Sequence, residues 1–290
     1  MKDLNVIKTT LSIGLEKPVS FLHLTDTHIV RDTEKENGRA AVFGTTDEQI
    51  EDYFLKALDY AKKNNLPIVH TGDLVDYITP ANLAFLDEYL LDVDYILAPG
   101  SHDYVHLIPG AKEYRDWIAA GGAENDEYKA KQIKVIATHI KNNMTFASKL
   151  IGGVNVVAID DSYLNITDAQ LDSLKNEVAK GYPIVVAMHV PIHTKALQEL
   201  KFIPRESLCS SPEEQKEHAI KNNRPDLAEN IRIYNDATWR AIEYIKTEPL
   251  IKVVLAGHRH FDHLDEFADG KFQIISCANC LGSAREITLV

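Results

Sequence analysis

A series of short apolar runs, each stopping at a histidine or an aspartate, constrains this 290-residue chain more than any other feature. The runs are VSFLHLTDTH, ending at Asp26 and His28; LPIVHTGD, ending at Asp73; YILAPGSHD, ending at His102 and Asp103; NVVAIDDS, ending at Asp160; PIVVAMHVP, ending at His189; and IKVVLAGHRH, ending at His258 and His260. Runs of this length without strict alternation read as strands buried on both faces. Between several of them lie helices whose ends are written in the residues. TTDEQIEDYFLKALDYAKKNN offers Thr46 and Gln49 as a capping box, sets Ile50, Tyr53, Phe54, Ala57, Leu58 and Ala61 on one face, and closes on lysines. TPANLAFLDEYLLD places a Thr79 cap before Pro80. ITDAQLDSLKNEVAKGY repeats the box with Thr167 and Gln170 and stops at Gly181.

Strand, helix, strand in succession implies a largely parallel sheet, and in open α/β sheets ligands collect beyond the carboxyl ends of the strands. Every polar terminus named above falls at that end. After His260 the pattern changes. DHLDEF, FQIIS and EITLV are too close together for intervening helices, so they predict an antiparallel meander, which the alternating VIKTTLSI near the N-terminus is placed to join. A charged stretch from Thr194 to about Asn235 interrupts the alternation and is expected to form a lid or cap. With no internal repeat or long linker, the expectation is one domain over 1–290 carrying that insertion at about 194–235.

Composition removes several classes. At 45% hydrophobic and 26% charged content the chain reads as globular, and no apolar run approaches the ~20 residues that span a bilayer. The opening MKDLNVIKTTLSIGLEKPVS has no continuous apolar segment and no small-residue cleavage site, so a cytoplasmic chain without membrane contact is expected. Forty-three acidic against 31 basic residues, a net charge of -12, disfavour a nucleic-acid partner. Three cysteines, Cys209, Cys277 and Cys280, suggest no disulfide framework. The Cys277–Cys280 pair supplies half of a tetrahedral zinc site and reads as structural.

A lone histidine at a strand end is more often structural than functional, but here the coincidence is multiple. Asp26 and His28 are spaced i, i+2, which puts both on one face of an extended strand end, and His258 with His260 repeats the spacing. A carboxylate such as Asp73 can bridge two cations. Mixed Asp and His donors suit Mn, Fe or Zn better than Ca. Two metals ~3.5–4 Å apart are the usual machinery for displacement at phosphorus.

The ordered set DTH, GD, GSHD, MHVP and GHRH, spread from about residue 20 to 276, resembles the calcineurin-like metallophosphoesterase superfamily. The resemblance implies an α/β fold in which two sheets pack face to face with helices outside, a four-layer αββα sandwich with the metal site at the strand ends. It implies two divalent ions, Asp26, His28 and His260 holding one, His189 and His258 the other, and Asp73 both. In the family a metal-bridging hydroxide attacks phosphorus in line. His102 would then protonate the leaving oxygen, with Asp103 orienting its ring and favouring the imidazolium. Position 101 is normally an asparagine that ligates the second metal. Ser101 is shorter and a poorer donor, so the second site is expected to be weakened. His23, His70, His106 and His193 are candidates to compensate, though each reads more readily as structural or supporting.

The leading functional expectation is therefore hydrolysis of a small-molecule phosphomonoester or phosphodiester, with no nucleic-acid partner. Two other readings stay open: a metal-binding scaffold that has lost catalysis, which Ser101 favours and His102 opposes, and a nuclease, which the lack of a Lys/Arg cluster opposes. The motifs describe chemistry at phosphorus and are silent on the leaving group, the metal and the oligomeric state.

Overall fold

Period-two alternation, hidden in the apolar runs because both faces are buried, divides the central strands between two cores. The computed structural model describes residues 3–31, 39–122, 126–200, 216–217, 220–221 and 235–290. It contains a five-stranded sheet in the spatial order β1 (Asn5–Leu11), β11 (Ser283–Leu289), β2 (Val19–Leu24), β3 (Ile68–His70) and β4 (Tyr95–Leu97). A six-stranded sheet runs β5 (Phe146–Ile151), β6 (Val154–Ile159), β7 (Ile184–Ala187), β8 (Ile251–Ala256), β10 (Lys271–Ile275) and β9 (His263–Ala268).

Phe21, Val69, Ile96 and Ile287 of the first sheet pack with Val156, Val185, Val253 and Ile274 of the second, forming the core between the sheets. The alternate residues face outward onto helices. Leu22, Leu24, Ile68 and Leu97 pack with Ile50 and Phe54 of α2 (Asp47–Lys63) and Phe85 and Leu86 of α3 (Pro80–Leu90). Val157, Ile184, Val186 and Ile251 pack with Leu171 and Leu174 of α6 (Asp168–Val178) and with Ala241, Ile242 and Ile245 of α8 (Asp236–Thr247). The result is the four-layer αββα sandwich. Further helices are α1 (Arg39–Val42), α4 (Lys112–Ala119), α5 (Asp126–Ile136) and α7 (Lys195–Glu199).

Helix starts follow the expected chemistry. Thr46 accepts from the Gln49 amide while the Gln49 side chain accepts from the Thr46 amide, and Thr167 with Gln170 does the same. Each such cap contributes ~1 kcal/mol and fixes where the chain leaves its strand-end loop.

The C-terminal meander is not formed. β9 and β10 do pair as an antiparallel hairpin, but β10 lies parallel to β8, and β11 crosses to the other sheet. There β11 runs antiparallel to β2, with Ile287 opposite Phe21, and parallel to β1. The physical reason is burial: Ile274 and Ile287 both belong to the core between the sheets, and facing sheets rather than one ribbon supply that core. The crossing is tied down beside the strand ends, where Asn279 and Cys280 donate their amides to the carbonyls of Thr25 and Asp26.

Of the stretch predicted as a lid, Thr194 caps α7 and Leu197 is fully buried. Apart from those first residues, 216–217, 220–221 and Asn235, that stretch lies outside the described residues, as does Cys209. Among the described residues no helix is long and apolar enough to cross a membrane.

Candidate metal centre

Parallel pairing sets the ends of β2, β3 and β4 level, Leu24 opposite His70 and His70 opposite Leu97. In the second sheet Ala158, Ala187 and Leu255 are level in the same way. The chain therefore leaves both sheets at one place, carrying Asp26, Asp73 and Ser101 from one side and His189 and His258 from the other.

The turns there are not extended, as the i, i+2 argument assumed. Asp26, His28, Asp73, His258 and His260 have φ of 49°, 48°, 52°, 67° and 54°, all left-handed. Among described non-glycine residues only Asn65 and Leu164 share that conformation. Each such residue costs on the order of 1–3 kcal/mol and persists only where its surroundings over-determine it. Here the Asp26 and His28 amides donate to the carbonyls of Gly72 and Asp73, which locks two turns side by side. Close approach demands glycine nearby: a Cβ on Gly100 would lie 2.1 Å from Asp73 Oδ1, and one on Gly257 would lie 2.5 Å from Asp26 Oδ2.

Asp26 is fully buried. Its Oδ2 accepts from the Thr25 hydroxyl at 2.7 Å and the His258 amide at 2.9 Å. Its Oδ1 makes no hydrogen bond and sits 3.1 Å from His260 Nε2 and 3.8 Å from His28 Nε2. The two imidazole nitrogens face each other at 3.2 Å. His28 Nδ1 is committed to Asp76 Oδ1 at 3.0 Å, so its Nε2 aims a lone pair at this gap.

A second set mirrors the first. His189 Nδ1 donates to the Thr71 carbonyl at 2.7 Å, which turns the lone pair of Nε2 toward Asp73 Oδ2 at 3.2 Å and His258 Nδ1 at 3.2 Å. Asp73 stands between the sets. Its Oδ1 accepts from the His102 amide at 2.9 Å, while Oδ2 is 3.2 Å from His189 Nε2 and 3.7 Å from His28 Nε2.

Lone pairs facing lone pairs and carboxylates need a positive charge between them. Two cations fit. Ligand nitrogens ~2.0–2.1 Å from a tetrahedral ion lie ~3.3 Å apart, which matches both nitrogen pairs, and the orphaned Asp26 Oδ1 is placed to complete the first set. Without ions, protons take that part. Burial alone would lower the histidines, yet Asp26, Asp76 and Asp73 raise His28 to about 10, and Asp73 and Asp26 raise His189 to about 10. Burial would push Asp26 and Asp73 up, and the neighbouring histidines instead hold both well below the usual carboxylate range. His258 is lowered to about 4, by burial and by His189.

The predicted pairing of Asp103 with His102 is corrected by the structure. Asp103 Oδ1 accepts from the amides of Leu74 and Val75 and Oδ2 from that of Gly100, so the carboxylate is spent on holding two loops. Asp76 orients His102: Nδ1 lies 2.8 Å from the Asp76 carbonyl and 3.0 Å from its Oδ1. The same carboxylate binds His28 and takes two hydrogen bonds from Arg39, at 2.6 and 2.9 Å. Burial notwithstanding, Arg39, His102 and His28 hold Asp76 far below the usual range, and Asp73 and Asp76 raise His102 against its own burial. Sequence reasoning missed Asp76, although its position three residues after Asp73 in GDLVDY was a signal. It also missed Asp161, whose carboxylate accepts from the amides of His189 and Val190 and mirrors Asp103.

The half-buried Ser101 precedes the 3-10 turn His102–Tyr104, caps it with no side-chain hydrogen bond, and lines one pocket with His258. Three of the suggested substitutes, His23, His70 and His106, are engaged elsewhere. His23 bonds Thr71 and Ser276, His70 bonds Thr27, and burial lowers both to about 3, so they are neutral struts. His106 bonds Tyr128 at the surface. Cys277 and Cys280 are free thiols, and Cys277 Sγ bonds the His260 carbonyl at 3.2 Å, a structural contact.

Compared with known proteins, residues 19–262 match the family model of the calcineurin-like phosphoesterases. No curated protein matches the sequence. Among solved structures, a dimetal phosphatase from Danio rerio is 13% identical, with a TM-score of 0.50 over 91% of this chain and 89% of its own, a likeness of fold alone. GAP50, the anchor in the inner membrane complex of Plasmodium, is 13% identical with a TM-score of 0.42 over 90% of this chain and 72% of its own. Phosphopantetheinyl hydrolase from Mycobacterium tuberculosis is 10% identical with a TM-score of 0.40 over 90% of each chain.

Proposed function

We infer the detailed function from one premise: the chain belongs to the calcineurin-like phosphoesterase family and is a metal-dependent hydrolase of phosphate esters. Two divalent ions of the Mn, Fe or Zn kind would be held, the first by Asp26, His28 and His260, the second by His189, His258 and a weak contact from Ser101, with Asp73 serving both sets. The observation that carries this reading is the pair of nitrogen contacts, 3.2 Å each, on either side of Asp73. The bound ions supply Lewis acidity toward phosphoryl oxygens and bring the pKa of water near neutrality.

The protein's own groups do the rest. His102 gives its proton to the leaving oxygen. Its Nδ1 is held by Asp76, so the proton to be transferred is on Nε2, and the neighbouring carboxylates favour the charged ring that can donate it. Asp103 and Asp161 fix the loops from which Asp73, His102 and His189 project. A net charge of -12 suits a small phosphate ester better than a polyanion.

The test is metal removal and reloading. Chelator-treated protein reloaded with Mn, Fe or Zn should take up two ions by elemental analysis and hydrolyse p-nitrophenyl phosphate or bis(p-nitrophenyl) phosphate, and the ratio of the two rates sorts monoester from diester preference. Asp73→Ala should lose both ions together. Retention of two tight ions by that variant would sink the shared-carboxylate assignment. Wild type that holds two ions and cleaves neither compound is the scaffold reading, which the Ser101 position favours.

A further inference from the structure

Helix α4 is amphipathic, with Tyr114, Trp117 and Ile118 at i, i+3, i+4 spacing on one face, yet none of its residues is buried. An apolar stripe of that kind ordinarily docks into a core. These three side chains instead line a pocket of about 190 Å³ shared with Leu164, Val190, Ser101 and His258. The pocket thus opens onto the second metal set while being walled by aromatic and aliphatic groups. Among the described residues its lining holds no carboxylate, lysine or arginine.

The aromatic wall is braced. The Trp117 ring lies 4.8 Å from Tyr128 of α5, and the Tyr128 hydroxyl bonds His106 Nδ1 at 2.5 Å. A Cβ at Gly122 would fall 2.1 Å from Trp117 Nε1, so the indole is laid directly against backbone, and a larger residue there would dislodge it. Leu164 reaches the pocket from a left-handed backbone, φ 61°, a strained conformation for a bulky residue and of the kind found in ligand clamps. A rigid aromatic wall lowers the entropic cost of binding a flat partner.

We propose that this pocket receives the leaving group, and that the substrate is a phosphate ester of an alcohol or phenol carrying one flat, uncharged ring, stacked on Trp117 and Tyr114. The proposal rests on the phosphoesterase reading and names its substrate class. An apolar cavity of ~150 Å³ holds benzene, so this volume suits one ring with its linking atoms. It leaves no counter-charge for a leaving group bearing a second phosphate or an amine.

Benzyl phosphate and ethyl phosphate, esters of alcohols of similar acidity, isolate the ring from leaving-group chemistry. With the metal-loaded protein, kcat/KM for benzyl phosphate should exceed that for ethyl phosphate by about 10-fold or more, and Trp117→Ala should collapse that ratio toward one. Non-hydrolysable benzylphosphonate should quench the fluorescence of wild type. Trp117→Phe, which keeps only one of the two tryptophans, should abolish the quench. Equal rates on the two esters, with a quench that survives Trp117→Phe, overturn the ring pocket and leave the phosphoesterase reading intact. Hydrolysis of neither ester, nor of p-nitrophenyl phosphate or bis(p-nitrophenyl) phosphate, by protein with two bound ions overturns the phosphoesterase reading, and the quench then decides the pocket on its own.

Discussion

Asp76→Asn keeps the shape of a fully buried side chain and removes its charge. The carboxylate meets His28 Nδ1 at 3.0 Å, His102 Nδ1 at 3.0 Å and the Arg39 guanidinium at 2.6 and 2.9 Å, and all three partners donate. An amide offers one oxygen and turns a donor toward the remaining partners, so at least one charge-assisted bond is lost. Such a bond contributes ~1.5–3 kcal/mol, and outright removal of one partner of a buried pair costs ~3–5 kcal/mol. A loss of about 2–4 kcal/mol is therefore expected, or a fall in Tm of roughly 3–7 °C for the chelated protein. The charge works despite burial, because Arg39, His102 and His28 hold the folded carboxyl far below its ordinary value. A depressed pKa contributes stability that is present above the unfolded value of ~3.9 and lost as pH falls below it, so the gap between wild type and variant should close in acid. Because Asp76 fixes the tautomer and direction of His28, affinity for the first ion should also drop by ~10–100-fold. Thermal melts across pH and calorimetric titration with Mn read both effects. A variant that melts early yet binds the first ion with wild-type affinity would refute the orienting role and leave Asp76 a structural pin.

The remaining expectations concern separate parts of the centre. His102→Ala should keep its metal content and lose ~10²-fold or more in turnover of alkyl esters, with a clearly smaller loss for p-nitrophenyl esters; equal losses contradict a proton donor. Ser101→Asn should tighten the second ion in calorimetric titration while Ser101→Ala changes little; wild type binding two ions equally, with Ser101→Ala losing one, makes the serine hydroxyl a direct ligand. His28 and His189, raised to about 10 by carboxylates that outweigh burial, contribute stability that is complete below ~6.5 and lost as pH rises through about 10. The Tm of chelated protein should fall over that window, whereas stabilisation by saturating metal should grow, since the ligands bind deprotonated. A chelated protein that gains stability from pH 6.5 to 10 would count against the protonated pair.

Much of this architecture was legible because local signals and burial agree. The capping boxes at Thr46 and Thr167, the Thr79–Pro80 start and the apolar runs all say the same thing about the same boundaries. The destination of β11 was not legible: period-two patterning reports that EITLV has a buried face, and says nothing about which sheet supplies the cover. The same limit explains Asp103 and Asp76. Both are buried aspartates next to a histidine or a ligand loop, and residue type alone cannot tell a carboxylate spent on three backbone amides from one that faces imidazoles and a guanidinium. Asp161 hid behind its neighbour Asp160 for that reason. The convergence of these Asp and His side chains was visible because each follows a strand end, and level strand ends meet.

Why the ligands follow the strands rather than sit within them comes from the sandwich. Inside the central strands, the apolar side chains are committed to one of two cores, and neither core faces the seam where the two sheets end together. A residue aimed at that seam must lie past the last paired position and must turn, and a left-handed residue achieves the turn in one step. The strain at Asp26, His28, Asp73, His258 and His260 is then the cost of aiming donors from both sheets at one point. Charge compounds it, since Asp26, Asp73 and Asp76 are buried within a few ångströms of one another's histidine partners. Either protons on His28 and His189 or two cations must offset those carboxylates. On the proposed function, loading the centre with metal would exchange cations for protons inside a cradle whose backbone is already held by the Gly72 and Asp73 carbonyls and by the carboxylates of Asp103 and Asp161, so these loops would not need to refold to accept the ions.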